Sequence, residues 1–273
     1  MSHLRPSGIL PQNKAPDYEI RLVLEPAEIL TPSIELKNDV QSTFNMQPSP
    51  IMEIIEFLDT PTKEMFGAGW SVSARKAQGD SAVEFTYRHH YPIKNSDIDS
   101  ILIHANLQGF NNEPTGDSRE FKAQVEWGYE QKMLSMTTKK KLDGFLPNEL
   151  EFPKADNLRQ MLIREAPNKF KHWKLHDWGT HALQRSVIHG PIHVDRYSGS
   201  WDGKPIGLEV WHMVNSLAER TDYIVELSFK ANNRSSASSK QRKLVDEMKS
   251  KGWLVVEDED LVKTGAILDA YAF

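Results

Sequence analysis

Nine separate stretches of this chain read as β-strands, most of them with apolar and polar residues alternating at a period of two. The stretches are 18–24, 51–58, 70–76, 82–89, 120–129, 132–138, 192–201, 207–213 and 222–230. In the first, Tyr18, Ile20, Leu22 and Leu24 alternate with Glu19, Arg21 and Val23. Gln78, Gly79 and Asp80 supply a turn that makes 70–76 and 82–89 a hairpin. Helical spacing is confined to shorter segments: a turn or so before Gly67 to Gly69, 96–106 with Ser96 as its cap, 157–166, 178–187, and an amphipathic stretch at 238–251 that stops at Gly252. Residues 1–17 are polar and proline-bearing and read as a loose tail, and 25–50 carry four prolines without a sustained period and read as an irregular excursion. Many strands without a βαβ rhythm predict an antiparallel sheet with added helices, and about eight strands suffice to close it. The expectation is therefore an α+β fold: a closed antiparallel eight-stranded β-barrel with surrounding helices, built as one domain from residues 18–273.

The residues that share a face carry the functional argument. Glu84, Thr86 and Arg88 oppose Val83, Phe85 and Tyr87, while Lys122, Gln124 and Glu126 oppose Phe121, Ala123, Val125 and Trp127. Glu226, Ser228 and Lys230 oppose Tyr223, Val225, Leu227 and Phe229; Glu209, Arg75 and Arg196 fall on the polar faces of their strands. A sheet with one face in water is the common use of such alternation. Here the polar faces mix Glu with Arg or Lys on strand after strand, and the amphipathic helices need an apolar surface. A barrel that is apolar outside and charged inside meets both conditions.

Charges inside a barrel are costly unless paired or neutralised, so a charged lumen implies a ligand. Arg21, Arg75, Arg88, Lys122, Arg196 and Lys230 can cradle phosphate oxygens. Glu19, Glu126, Glu209 and Glu226 can hold Mg²⁺ or Mn²⁺, hard cations that bridge carboxylate and phosphate. Composition narrows the alternatives. The formal net charge of −5 argues against a nucleic-acid partner, and the absence of cysteine excludes disulfides, thiolate metal sites and cysteine nucleophiles. No segment reads as a signal peptide or a membrane span, so a cytoplasmic protein acting on a small-molecule phosphate ester is expected, with homodimerisation left open.

The segment from Phe57 through Asp59, Thr60 and Pro61 to Gly69 and Arg75 resembles the second strand and turn of the CYTH, or triphosphate tunnel, superfamily. The strands holding Glu84 to Arg88 and Lys122 to Glu126 resemble two more of its strands. The resemblance spans residues 18 to 271 and implies an eight-stranded tunnel that binds triphosphates with a divalent metal. Members of that family hydrolyse inorganic or thiamine triphosphate, remove RNA 5′ phosphate, or cyclise ATP. Their first strand carries Glu-x-Glu-x-Lys, where this chain has Glu19, Arg21 and Val23, and Ser73 stands where the family has an arginine. Arg21 removes a carboxylate and adds a cation, which favours gripping phosphate over activating water. The favoured expectation is a metal-dependent lyase that ionises an isoprenoid diphosphate, as in terpene cyclases, with Trp211 as an aromatic stabiliser of the carbocation. A triphosphatase, in which Glu126, Glu209 or Glu226 covers for the altered first strand, and a non-catalytic polyphosphate-binding module are the alternatives.

Other constellations carry less. His189 and His193 straddle Gly190 and Pro191, so they do not form one helical face. Lys139 to Lys141 reads as a solvated loop, Asp97 and Asp99 as helix-initial acids, and the sequon at Asn233 as an exposed loop. Trp70, Tyr87, Trp127, Tyr197 and Trp201 read as packing residues of the outer face.

Overall fold

The computed structural model describes residues 15–110, 121–147, 149–215, 220–256 and 263–271. All nine stretches form strands: β1 Asp17–Leu24, β2 Ile51–Asp59, β3 Trp70–Ala77, β4 Ala82–Pro92, β5 Lys122–Trp127, β6 Lys132–Asp143, β7 Val187–Trp201, β8 Lys204–Asn215 and β9 Arg220–Ala231. They close into one barrel in the order β1-β5-β6-β4-β3-β2-β7-β8-β9. The barrel thus has nine strands where eight were expected. An odd number of strands cannot close with every neighbour antiparallel, and the one parallel contact falls between β1 and β5, with Glu19 beside Glu126. On its other edge β1 runs antiparallel to β9, with Arg21 beside Ser228.

Alternation sends one face of every strand outward into the hydrophobic core. Ile20, Leu22 and Leu24 of β1 and Val83, Phe85 and Tyr87 of β4 are buried there, each large side chain contributing about 2 kcal/mol by leaving water. Helices supply the opposing surface: α1 Pro26–Ile29, α2 Asn38–Phe44, α3 Glu64–Gly67, α4 Ile98–Ala105, α5 Ala155–Glu165, α6 Asn168–Lys171, α7 Trp178–Gln184, α8 Arg234–Ser250 and α9 Lys263–Ala270. Polar ends of outward aromatics fasten them. The Tyr87 hydroxyl donates to the Leu162 carbonyl of α5 at 2.5 Å. Trp201 Nε1 donates to Glu247 of α8 at 2.9 Å. Trp70 sits fully buried, its ring edge-on to His89, Phe170 and Trp173. The outward aromatics therefore pack, as the alternation required.

Several local expectations change. The excursion at 25–50 contains α1 and α2. α2 escapes periodicity because it is short and buries only Val40 and Phe44, one turn apart. α4 begins one residue late, since Asp97 rather than Ser96 caps it by accepting from Ser100 N–H. α7 ends at Gln184 because β7 begins three residues on. α8 starts at Arg234, and Asn233 is its cap, accepting from Ser236 N–H at 2.8 Å, rather than a loop residue. Lys139 to Lys141 lie in β6, not in a loop. Most of the predicted tail, residues 1–14, lies outside the described residues. No helix among the described residues is long and apolar enough to cross a membrane.

Candidate functional site

Cross-strand partners share a face, so the register tables the lumen residue by residue. Glu19 pairs with Glu126 and Lys230, Arg21 with Ser228, and Glu226 with Glu209. Glu209 then pairs with Arg196, Val194 with Glu53, Ile55 with Arg75, Arg75 with Glu84, and Arg88 with Thr137. Every residue expected to line the tunnel therefore points inward.

The lumen holds two adjoining charge clusters. In the first, Arg21 donates to Glu19 Oε2 through Nε and Nη2 at 2.9 and 2.7 Å. Its Nη1 stands 3.6 Å from Glu126 and 3.8 Å from Glu226. Arg88 approaches Glu126 from the other side at 3.4 Å. In the second, Arg75 donates to Glu53 at 2.5 Å and to Glu209 at 3.2 Å, and Arg196 reaches Glu53 at 3.5 Å. Lys122 and Lys230 face the lumen but are exposed, and neither joins a cluster. They stand towards the end of the barrel where β1 and β5 begin and β9 ends.

Electrostatics follows from this pairing. Burial alone would raise the Glu126 carboxyl, but Arg21 and Arg88 outweigh it and hold the group down at about 2. Burial works against the Arg21 cation, yet Glu126, Glu19 and Glu226 together hold its pKa well above the ordinary value. His90, on the same inward face, is pulled down to about 4 by burial and is neutral near pH 7. The first cluster thus sets three carboxylates against two guanidiniums and carries a surplus negative charge. In the second, two carboxylates balance two guanidiniums.

These carboxylates fit a hard divalent cation. The donors are all oxygen, the cluster is negative, and the buried Glu126 Oε1, 3.4 Å from Arg88 Nη1, accepts no hydrogen bond among the described residues. Glu19, Glu126 and Glu226 are the residues that would hold Mg²⁺ or Mn²⁺.

Beyond the charges the lumen turns apolar. Ile55, Ile192, Val194, Trp211 and Met213 form a small cluster closed by Ile267 of α9, with Phe57, Ile224, Ala270 and Tyr271 against it. Val214 N–H donates to the Tyr271 hydroxyl, and Lys63 pairs with Asp269, which ties α9 across this end. Trp211 bridges the two environments: Nε1 donates to Glu209 at 3.1 Å, and Arg75 lies 5.8 Å from its ring centroid.

Sequence reasoning missed Glu53. It is 3% exposed in β2, one of three acids in a strand otherwise wholly apolar, and acids set in such a strand are the signal that would have found it. His90 was not singled out, and Lys139 was read as loop; Lys139 faces inward and pairs with Glu84 at 2.7 Å. Asp59, quoted for the family resemblance, is a structural residue. Its buried carboxylate accepts from Thr60, Met65 and Phe66 N–H and caps α3. His189 is buried and His193 exposed, and neither joins a cluster of metal-ligating side chains among the described residues. Outside the barrel, His172, His176 and Asp177 come together at the surface. His176 is paired with Asp177 at 2.9 Å, and Asp177 N–H donates to His172 at 3.1 Å.

No family model matches this sequence. No curated protein matches it either. Solved structures do. HpAC1 from Hippeastrum, an adenylyl cyclase candidate described as having a dominant triphosphatase activity, is similar with a TM-score of 0.50 at 10% identity, over 92% of this chain and 94% of its own. A Bacillus halodurans protein described as an adenylate cyclase candidate aligns over 90% of this chain and 95% of its own, with 8% identity and a TM-score of 0.48. At such identities the likeness concerns architecture alone, and on that level the chain shares the fold of the Hippeastrum protein.

Proposed function

We propose that the lumen binds the phosphate chain of an organic di- or triphosphate and cleaves it, with hydrolysis of a phosphoanhydride as the leading reaction. The observation that carries this reading is the convergence of Arg21, Arg75, Arg88 and Arg196 on the inward-facing glutamates of one closed barrel. Guanidiniums present paired N–H groups that match phosphate oxygens. A position between the two clusters lets Arg75 and Arg196 hold one phosphoryl group while Arg21 and Arg88 hold its neighbour. Glu209 and Glu226 then stand beside the chain as acceptors for a proton from attacking water. A divalent cation at Glu19, Glu126 and Glu226 would supply charge neutralisation and a more acidic bound water. The triphosphatase activity described for the Hippeastrum protein supports the same choice.

A second reading rests on the apolar end of the lumen. Trp211 lies 5.8 Å from Arg75 and packs with Met213 and Ile224, so a diphosphate with an apolar organic group would find both halves matched. Ionisation of that ester by C–O cleavage is its reaction.

One set of incubations tests both. Purified protein with Mg²⁺ is given tripolyphosphate, a nucleoside triphosphate, or farnesyl diphosphate. Orthophosphate release from the first two is expected, whereas hydrocarbon and inorganic diphosphate from the third would favour the second reading. Arg75→Ala or Arg88→Ala should weaken binding at least ten-fold. If no polyphosphate raises the unfolding temperature under any divalent metal, the tunnel is not a phosphate site.

A further inference from the structure

Arg21 occupies the space between the carboxylates that suit a cation. Its guanidinium touches Glu19 at 2.7 Å and lies 3.6 and 3.8 Å from Glu126 and Glu226. The three come from β1, β5 and β9, strands adjacent in the barrel, so the arrangement is fixed by register rather than by one flexible loop. An ion bridging any two of these carboxylates would need oxygens at about 2.0–2.1 Å for Mg²⁺. It would then stand within a few ångströms of a guanidinium that is enclosed by the same groups. Charge makes the opposite point for phosphate. Among the described residues Arg21 and Arg88 are the cations in ion pairs with this cluster, its three carboxylates leave it negative, and a bare polyphosphate meets repulsion.

Each ligand is thus opposed alone and favoured in company. We propose that Arg21 is a resident counter-cation that makes divalent metal and phosphate bind the lumen only together. Phosphate draws the guanidinium off Glu19, Glu126 and Glu226, and the freed carboxylates accept the metal, which offsets the negative charge that the phosphate brings. Because the coupling is thermodynamic, it is reciprocal: metal must tighten phosphate by the factor with which phosphate tightens metal. This rests on the proposed phosphate-binding role of the lumen.

The test uses binding rather than turnover. Mn²⁺ is titrated into metal-free full-length protein and free Mn²⁺ is read by electron paramagnetic resonance, for wild type, Arg21→Gln and Arg21→Lys. Wild type and Arg21→Lys should bind Mn²⁺ weakly, and Arg21→Gln at least ten-fold more tightly. Separately, wild-type retention of tripolyphosphate is measured by equilibrium dialysis in EDTA and in Mn²⁺, with at least ten-fold greater retention expected in Mn²⁺. The dialysis needs no variant, so it decides the matter even if Arg21→Gln does not fold. Equal retention in EDTA and Mn²⁺ overturns the coupling while leaving the phosphate site intact. Tight Mn²⁺ binding by wild type without phosphate overturns it as well. Retention in neither condition removes the phosphate-binding role itself, and the coupling with it.

Discussion

Glu126→Gln puts the charge clusters to a quantitative test that needs no ligand. Glu126 is 2% exposed and lies between Arg21 and Arg88. Those two cations hold its carboxyl at about 2, against an ordinary value of 4.5. A shift of that size corresponds to about 3 kcal/mol of native-state stability at neutral pH. Because the folded pKa lies below the unfolded one, the contribution is complete above pH 4.5 and drains away as pH falls towards 2. Glutamine keeps the shape and removes the charge, so the difference between wild type and variant isolates this term. Urea denaturation at pH 7 should show the variant about 3 kcal/mol less stable. By pH 3 the difference should shrink to less than half that value. A gap that stays constant from pH 7 to pH 3 would refute the idea that Arg21 and Arg88 stabilise an ionised Glu126. So would the absence of a gap at pH 7.

Three further outcomes are expected. Burial lifts the Glu56 carboxyl to about 7, and Oε2 has no hydrogen-bond partner among the described residues. Wild-type stability should therefore fall between pH 4.5 and 7, and Glu56→Gln should gain about 1–3 kcal/mol on wild type at pH 8 relative to pH 4.5, as read by denaturation at both values. Gly69 has φ +83, and a Cβ there would sit 2.8 Å from His89 Nε2, whose ring is packed against Trp70 and Trp173. Gly69→Ala should lower stability by about 2–4 kcal/mol; an unchanged melting temperature would contradict the close approach. Ile267 is fully buried against the apolar end of the lumen. Ile267→Ala should remove about 2–4 kcal/mol of local packing. Hydrogen exchange in α9 should then quicken at least ten-fold with β4 unchanged, and equal protection in both proteins would mean α9 does not depend on that contact.

The strands and their inward faces were legible because a period of two depends on neither neighbours nor register. Glu19, Arg21, Arg75, Arg88, Glu126, Arg196, Glu209 and Glu226 were each assigned to a polar face on that basis, and each points into the lumen. Helices were read less well. α2 presents only Val40 and Phe44 to the core, too little to show a period, and the start of α8 is set by the Asn233 cap rather than by apolar spacing.

What the sequence determined by itself is therefore local: which residues share a face, and that the shared face is charged. Which charges meet was decided only by closure. Glu19 and Glu126 lie far apart in the chain and become neighbours because β1 runs parallel to β5, the contact that nine strands require to close. Glu53 joins Arg75 and Arg196 for the same kind of reason, through the pairing of β2 with β3 and β7. The apolar end of the tunnel likewise comes from β2, β7, β8 and α9, segments whose association no single stretch records. Alternation is a property of one strand, whereas pairing energies and the geometry of closure belong to all of them together.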